Sequence, residues 1–406
     1  MKATNFAEER ASERLHILKM RGKLARVGLN SSSIQKFLSE VVEDDLHVKT
    51  LLSLSNATLG VLQSTSLCIH WIGRAYAWAS GTDGKHGVKQ VDRLLSNNHV
   101  RPWALAPRWI ATLVGPREEI LVALDWTDFD GDDHTTLVAS LITKHGRATP
   151  LLWNTVKKST LAGHRNQHED ELLEHLRDSM PEGVTVTILA DRGFGDQQRY
   201  QKLTELGMHY VIRFRDNILV TDQWGTHKPA ADWVAASGRA QMHKDVAVTE
   251  DRYVVPAVVL VHDKRMKEAW CLATSRTDKT ASEIVKWYGK RFTIEETFRD
   301  TKNSHLGMGL SATHIRAEDR RDRLIFIAAI AHTLLTLLGE AGERCGLDRT
   351  LKSNTSKKRQ LSLYNQGIHW YMAIPTMREE RLQRLIEAYG QVLAEHALTR
   401  ELFGVL

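Results

Sequence analysis

The sequence predicts an α/β fold: a mixed sheet with a β-rich insertion, flanked by helical N- and C-terminal regions. Apolar residues recur at helical spacing in residues 7–115 and 316–406, which is the pattern of amphipathic helices. Residues 116–215 instead alternate strands with helices, and residues 216–275 alternate apolar and polar side chains as strands do. At 406 residues the chain is longer than one hydrophobic core usually supports, so several structural units are expected.

The N-terminal region is predicted to be helical throughout. It begins with a basic amphipathic segment from Glu8 to Arg26. The serine run Ser31–Ser33 is a start signal for a helix through Ile34 to Val42. Further periodic stretches continue to Leu113.

A sheet is predicted after Pro116, where helical spacing gives way to strand patterns. The expected elements are strands at 119–126, 135–143 and 148–153, a helix at 165–179, a strand at 184–190, a helix at 196–206 and a strand at 209–215. The resulting order, βββαβαβ, is the one used by the ribonuclease-H-like fold. We therefore predict a ribonuclease-H-like topology.

An insertion separates this core from its last helix. Strand patterns occur at 218–221, 246–249, 252–261 and 269–274. One long helix is then expected from Ala281 to about Lys302. Five regions follow from these patterns: helical at 1–115, core at 116–215, β-rich insertion at 216–280, core helix at 281–320, and helical at 321–406.

Composition limits the classes of protein to consider. Lys and Arg outnumber Asp and Glu by 55 to 49, and the net charge of +6 suits a polyanionic partner. The cysteines Cys68, Cys271 and Cys345 lack the spacing of a zinc site or a disulfide framework. The N-terminus has no apolar signal segment, and the apolar stretch Leu324 to Leu338 is shorter than the usual span of about 20 residues and contains His332. A buried helix and a cytoplasmic location are expected.

Two aspartates follow apolar strands. Asp125 ends the run from Ile120 to Leu124, and Asp191 ends the run from Val184 to Ala190. If these strands are neighbours, the two carboxylates lie together. Aspartates at strand ends also serve as turn or cap residues, so the pair alone leaves that alternative open.

A third carboxylate, Glu295, lies within a stripe of polar residues on the predicted helix. Tyr288, Arg291, Glu295, Arg299 and Lys302 recur at spacings of 3, 4, 4 and 3, which places them on one helix face. Three carboxylates can hold two Mg²⁺ ions for phosphodiester chemistry, and flanking basic residues can hold phosphates. The alternative is a solvated helix with ion pairs such as Glu295 to Arg299.

These residues resemble a known family. The segment from Tyr288 to Lys302 matches the Y-(2)-R-(3)-E-(6)-K signature of the insertion-sequence-four family of bacterial DDE transposases. The blocks 124–128, 189–194, 270–274 and 89–97 are also similar to that family, especially to the transposases of insertion sequence ten. The signature selects Glu295 over its neighbour Glu296, and Asp125 and Asp191 take the positions of the two catalytic aspartates.

The resemblance implies a function. The expected protein excises an insertion sequence at its terminal inverted repeats and joins the 3′-hydroxyl ends to target DNA, using two Mg²⁺ ions for which Mn²⁺ can substitute. It would act by cut-and-paste through a DNA hairpin, as a homodimer on double-stranded DNA. Trp270 matches the tryptophan on which related enzymes stack a flipped base, although a core tryptophan is the competing interpretation. Phe292 stands where some relatives carry a second tryptophan, so a two-tryptophan clamp does not follow.

The helical region 1–115 is the expected DNA-binding region. Lys85, Lys89 and Arg93 recur every four residues opposite an apolar face that includes Val91, so a helix here would present one basic side to phosphates or, alternatively, to solvent. The helices after Ile325 are candidates for dimerisation.

Two other classes of protein share parts of this pattern. A catalytically inactive or domesticated DNA-binding relative predicts erosion of the acidic triad, which is intact. A ribonuclease-H-like nuclease or resolvase has no need for the signature from Tyr288 to Lys302.

Overall fold

Ten strands form one mixed sheet in the part of the chain that the structure describes. The computed structural model describes residues 22–42, 45–304 and 307–399. The strands are β1 (Glu119–Phe129), β2 (His134–Ile142), β3 (Ala148–Lys157), β4 (Thr185–Ala190), β5 (His209–Phe214), β6 (Leu219–Thr221), β7 (His227–Pro229), β8 (Gln241–Val248), β9 (Tyr253–Val261) and β10 (Trp270–Thr274). Their order across the sheet is β3-β2-β1-β4-β5-β10-β9-β8-β6-β7. The predicted mixed sheet is confirmed.

Helices precede, interrupt and follow the sheet. Before it lie α1 (Ser31–Val42), α2 (Val48–Ser64), α3 (Ile69–Ser80), α4 (Gly84–Leu95) and α5 (Pro102–Val114). Between its strands lie α6 (Arg165–Asp178) and α7 (Gln197–Glu205). After it lie α8 (Ala281–Gly289), α9 (Thr293–Lys302), α10 (Glu318–Arg344), α11 (Leu363–Ala373) and α12 (Glu379–Thr399).

The first five strands have the ribonuclease-H-like arrangement. Strands β1, β2 and β3 form an antiparallel meander, and β4 and β5 add to β1 in parallel through the crossovers α6 and α7. The run from Ile120 to Leu124 is fully buried, as is typical of a parallel strand covered on both faces. The predicted order βββαβαβ is therefore confirmed.

The predicted insertion continues the same sheet. Strand β10 pairs antiparallel with β5, from Cys271 opposite Phe214 to Thr274 opposite Val211, and β9, β8, β6 and β7 follow outward. The strand β7 and the first half of β8 lacked a clear strand pattern in the sequence.

The helix that was predicted as continuous from Ala281 to Lys302 is interrupted. A 3₁₀ turn at Lys290–Phe292 separates α8 from α9. Gly289 ends α8, and glycine is a poor helix former. The phase of Tyr288 relative to Glu295 therefore differs from the phase along one straight α-helix.

The chain divides into two compact units. One contains residues up to 116, the turn at 143–147 and residues from 299 onward; the other contains residues 117–142 and 148–298. The second unit holds every strand of the sheet. In the first unit, α3 and α4 cross closely. A methyl group added at Gly87 would lie only 2.1 Å from the carbonyl oxygen of Gly73.

Two predictions about helices meet the structure in detail. The helix expected after Ser31–Ser33 begins at Ser31, but the capping acceptor is Asn30, whose Oδ1 accepts a hydrogen bond from the Ser33 amide at 3.0 Å. Most of the segment from Glu8 to Arg26 lies outside the described residues.

Helix α10 contains the apolar stretch that was predicted to be a buried helix. Among the residues that the structure describes, it alone is long and apolar enough to cross a membrane, but 94% of its most apolar stretch is buried. It is the core helix of its unit, as predicted.

Candidate active site

The register of the sheet places Asp125 and Asp191 side by side. Strands β1 and β4 run parallel, and their last paired residues are Leu124 and Ala190. Asp125 and Asp191 are the next residue on each strand. Asp125 still pairs with Val138 of β2, so it lies within β1, whereas Asp191 begins the turn after β4.

The alternation of side chains directs Asp125 toward the helices α8 and α9. Residues two apart in a strand share a face, so Asp125 lies on the face of Leu121 and Ala123. Those two side chains pack in one buried apolar cluster with Tyr288 and Ile294. The Asp125 carboxylate therefore lies on the same face of the sheet as this cluster, next to the start of α9.

Arg291 joins the first aspartate to Glu295. Its Nη1 donates to Asp125 Oδ2 at 3.1 Å, and its Nη2 donates to Glu295 Oε1 at 2.7 Å. The arginine side chain is only 6% exposed, against 17% for Asp125 and 50% for Glu295. One buried guanidinium thus holds two of the three predicted carboxylates.

Negative charge is in excess at this site. Burial raises the pKa of Asp125 to about 6, Arg291 opposes the shift, and the charges of Asp191 and Glu295 add to it. Three carboxylates surround one guanidinium, so the site attracts further positive charge. The remaining oxygens of the aspartates accept backbone amides: Trp126 donates to Asp125 Oδ1 at 2.9 Å, and Gly193 donates to Asp191 Oδ1 at 2.8 Å.

The donor set suits a hard divalent cation by its chemistry, since all three side chains offer carboxylate oxygens. Within residues 22–42, 45–304 and 307–399, no three His, Cys, Asp or Glu side chains are grouped closely enough to hold a metal ion. The Arg291 guanidinium lies between the carboxylates of Asp125 and Glu295 and contacts both. The three carboxylates are the type of ligand that such a cation binds. In the structure, the positive charge between Asp125 and Glu295 is that of the Arg291 guanidinium.

Two contacts fix α9 on the sheet at the height of Glu295. Ile294 is fully buried in the apolar cluster. Thr297 Oγ1 donates to the carbonyl oxygen of Ala148 at 2.9 Å and accepts from the Ala148 amide at 3.0 Å. Glu295 lies between these anchors, so its backbone position is fixed while its side chain remains half exposed.

Aromatic side chains surround the start of this helix. Trp270 contacts Tyr288 edge to face at 4.9 Å between ring centroids, and it lies 6.2 Å from Phe292. Tyr288 is 1% exposed, so its ring packs inside the core and does not reach a ligand directly. Trp270 is half-buried and Phe292 is exposed. The tryptophan thus has both a core contact and an accessible edge.

A polar network that sequence reasoning missed supports the two aspartates. The Trp126 indole donates to Glu169 Oε1 at 2.7 Å, and Arg165 donates to the same oxygen at 3.0 Å. Arg199 donates to Glu169 Oε2 at 2.7 Å, and both side chains are 2% exposed. The spacing from Arg165 to Glu169 was the available signal, but such i,i+4 pairs are common on exposed helices.

Arg165 is the member of this network that approaches the candidate site. Its guanidinium lies 5.5 Å from the Trp126 ring and 5.7 Å from the Phe194 ring. It also borders the turn after Asp191, because a methyl group on Gly193 would lie 3.7 Å from Arg165 Nη2. A partly exposed cation therefore stands beside the second aspartate.

Three acidic residues after Asp125, at the end of β1 and in the β1–β2 loop, have structural partners. Lys158 Nζ lies 2.8 Å from Asp128 Oδ2 and 2.6 Å from Asp130 Oδ1. Asp133 adopts a left-handed backbone and accepts bonds from Ser159. These contacts give the three acids structural roles in the connection between β1 and β2.

The remaining predicted residues lie in the unit of the helical segments. Arg299 is exposed and Lys302 is half-buried in the last turns of α9. Lys85, Lys89 and Arg93 are all exposed on α4, whose Val91, Leu94 and Leu95 are buried. The predicted helix with one basic and one buried face is thus present.

A ribonuclease-H-like sheet that brings acidic side chains together at the ends of its first and fourth strands defines a class of nucleic-acid enzymes. Residues 117–334 match the model of the transposase DDE domain family. This match spans more than half of the chain, and the protein belongs to that family. A search of curated protein sequences finds no significant match.

Proposed function

We propose that this transposase excises an insertion sequence by cut-and-paste and that Asp125, Asp191 and Glu295 hold its metal ions. The observation that carries the proposal is the register of β1 and β4, since both aspartates follow the last pair, Leu124 and Ala190. The signature from Tyr288 to Lys302 supports assignment to the insertion-sequence-four family, close to insertion sequence ten.

The three carboxylates act as ligands. When bound, two divalent cations, expected to be Mg²⁺ with Mn²⁺ as a substitute, stabilise the attacking and the leaving oxygen of a phosphodiester displacement. Asp125 and Asp191 supply oxygens from adjacent strand ends, and Glu295 supplies them from α9. The excess negative charge around Arg291 favours cation binding at this position.

Arg291 changes partners in this proposal. Without DNA it bridges Asp125 and Glu295. Its planar fork suits a phosphate as well as a carboxylate, so it can grip the phosphate beside the cut once cations balance the carboxylates. Arg299 and Lys302 follow on the same helix and supply further positive charge for the DNA backbone.

Trp270 handles a distorted DNA end. A hairpin on the transposon end requires an unstacked base, and an indole face can replace the lost stacking. Tyr288 braces the Trp270 ring from its buried side, and Phe292 adds an exposed aromatic surface nearby. We expect Trp270→Ala still to cut the first strand but to form less hairpin product. A denaturing gel resolves the two products.

Double-stranded DNA is held by the basic face of α4. Lys85, Lys89 and Arg93 are one helical turn apart and exposed, which suits successive contacts along phosphates. Two copies of the protein act together on paired ends, since cutting two ends calls for two sites.

The experiment uses DNA fragments that carry the two ends of the genomic element encoding this protein. Wild type, Asp191→Ala and the control Asp128→Ala are compared for binding and for cutting in Mg²⁺, in Mn²⁺ and in EDTA. We expect wild type and Asp128→Ala to cut with either metal and Asp191→Ala to bind without cutting. Binding without cutting by the wild type would support the inactive DNA-binding alternative instead. Cutting by Asp191→Ala would remove that residue from the site.

A further inference from the structure

Two exposed tryptophans line a groove that the proposed mechanism does not use. Trp71 and Trp78 are 57% and 53% exposed on α3. With Arg74 and Ala75 they follow the spacing i, i+3, i+4, i+7, so they share one face of the helix. The opposite face, which carries Ile72 and Ala77, is buried. A contiguous patch of exposed apolar side chains marks a surface that contacts another molecule.

The groove has a mixed polar and apolar lining, in which Met308 and Ala312 lie with the two tryptophans. Its volume is about 750 Å³, within the roughly 300–1,000 Å³ of typical ligand sites. Hydroxyl groups line it opposite α3, from Ser64, Thr65, Ser66 and Ser304. Among the described residues that line it, Arg74 is the one charged side chain and none carries a carboxylate. The lining thus offers stacking faces, hydroxyl groups and positive charge.

The basic face of α4 continues into this groove. A methyl group on Gly84 would lie 3.6 Å from Arg74 Cγ, so the stem of Arg74 rests against the first residue of α4. Lys85 is the next residue, followed at helical spacing by Lys89 and Arg93. Arg74 therefore connects a basic surface that suits phosphates to an aromatic groove that suits bases.

We propose that this groove binds unpaired nucleotides of a DNA strand, with their bases stacked on Trp71 and Trp78 and their phosphates directed along Arg74 and α4. Bases in an intact duplex are already stacked and cannot offer their faces, whereas unpaired bases can. The inference rests on the proposed function, in which cutting and hairpin formation unstack bases at the transposon end. It adds a single-strand site to the duplex contacts of α4.

The test measures binding of a single strand of about 20 nucleotides to the full chain in EDTA, so that no cleavage occurs. Stacking on an aromatic side chain contributes about 1 to 3 kcal/mol per base, so Trp71→Ala and Trp78→Ala should each weaken binding about 5- to 150-fold. Trp71→Phe should retain most of the affinity. The matched control is Trp224→Ala, since Trp224 is 79% exposed on the loop between β6 and β7.

A strand of the same length with abasic sites separates base stacking from phosphate contact. The wild type should bind the abasic strand as weakly as the double variant Trp71→Ala/Trp78→Ala binds the intact strand. The double variant should bind the two strands about equally. Neither tryptophan variant should change the salt dependence of binding, whereas Arg74→Ala should make the slope shallower by about 0.7. Thermal melting checks that each variant is folded before its binding is compared.

Three outcomes overturn the proposal. One is normal single-strand binding by the double variant Trp71→Ala/Trp78→Ala. Another is an equal loss on the intact strand and the abasic strand. The third is a changed association state with unchanged DNA binding, which would make the face a protein contact. The cleavage assay on element ends tests the proposed function separately. If the wild type cuts the ends and Trp71→Ala binds single strands normally, the proposed function stands and only this inference is contradicted.

Discussion

The two sets of charges in this protein differ in their exposure to water. Arg291 is 5% exposed and bonded to Asp125 and Glu295, whereas Lys85, Lys89 and Arg93 are exposed on α4. A buried charge interacts strongly and depends on geometry, while an exposed charge is screened by salt. Changes at the carboxylate site should therefore alter chemistry, and changes on α4 should alter the salt dependence of binding.

The largest effect is expected at the second aspartate. Asp191→Ala should reduce cleavage of element ends by about 10²- to 10³-fold or more, the scale of removing one electrostatic stabiliser. Its DNA affinity and salt slope should stay close to wild type, because no α4 charge is changed. Cleavage rates and binding isotherms on the same fragments check both parts. A parallel loss of binding would contradict the separation of the two charge sets.

A smaller effect is expected at the bridging arginine. Arg291→Lys keeps the charge but cannot donate to Asp125 and Glu295 through one planar fork. Cleavage should fall by about 10- to 100-fold, as when a group that orients metal ligands is lost. A Mg²⁺ titration of the cleavage rate should show an altered metal requirement. If Arg291→Lys cuts like the wild type at every Mg²⁺ concentration, the bridge has no role beyond folding.

The packing of α4 against α3, which holds the basic face in place, can be tested with a substitution that changes no charge. Gly87→Ala would bring a methyl group to 2.1 Å from the Gly73 carbonyl oxygen and 2.9 Å from Ala77 Cβ. Overpacking of this kind costs about 1–3 kcal/mol of unfolding free energy. The control is Gly84→Ala on the same helix, where the nearest atom would be Arg74 Cγ at 3.6 Å. Denaturant unfolding should separate the two variants, and equal stabilities would contradict the close crossing of α3 and α4.

The smallest effects are expected on α4. Lys89→Ala and Arg93→Ala should each make the plot of log affinity for duplex DNA against log salt shallower by about 0.9, the release of one counterion. Lys264→Ala, which removes an exposed lysine between β9 and β10, is the matched control. Cleavage by bound complexes should be unchanged. A slope equal to that of the wild type would remove the substituted residue from the DNA interface.

The sequence predicted those parts of the fold that depend on local pattern. The apolar runs before Asp125 and Asp191 are strands, and their order correctly gave the ribonuclease-H-like topology. Strand ends were predicted less well: β1 continues to Phe129 and β3 to Lys157 because pairing with β2 extends them past their apolar runs. Register with a partner strand is a tertiary property that a single strand does not encode.

The contacts among the predicted site residues could not be read from the sequence. Spacing along a helix suggested that Arg291 faces a phosphate, whereas its guanidinium is buried against Asp125 and Glu295. Tyr288 belongs to the same stripe but is buried in the core. Burial depends on which strands pack against the helix, so periodicity alone could not reveal either placement. The contacts of Glu169 with Arg199 and Trp126 join distant segments and lacked a sequence signature.

The insertion also determines what the sheet presents to other molecules. An uncovered edge strand can pair with the edge of another chain. Strand β10 covers β5, and the sheet now ends at β7, which has three residues and closes with Pro229. The opposite edge strand, β3, contains Pro150. Proline cannot donate a backbone hydrogen bond, so both edges resist extension by a second copy. In the proposed complex of two copies on paired DNA ends, the two sheets would therefore have little tendency to join edge to edge.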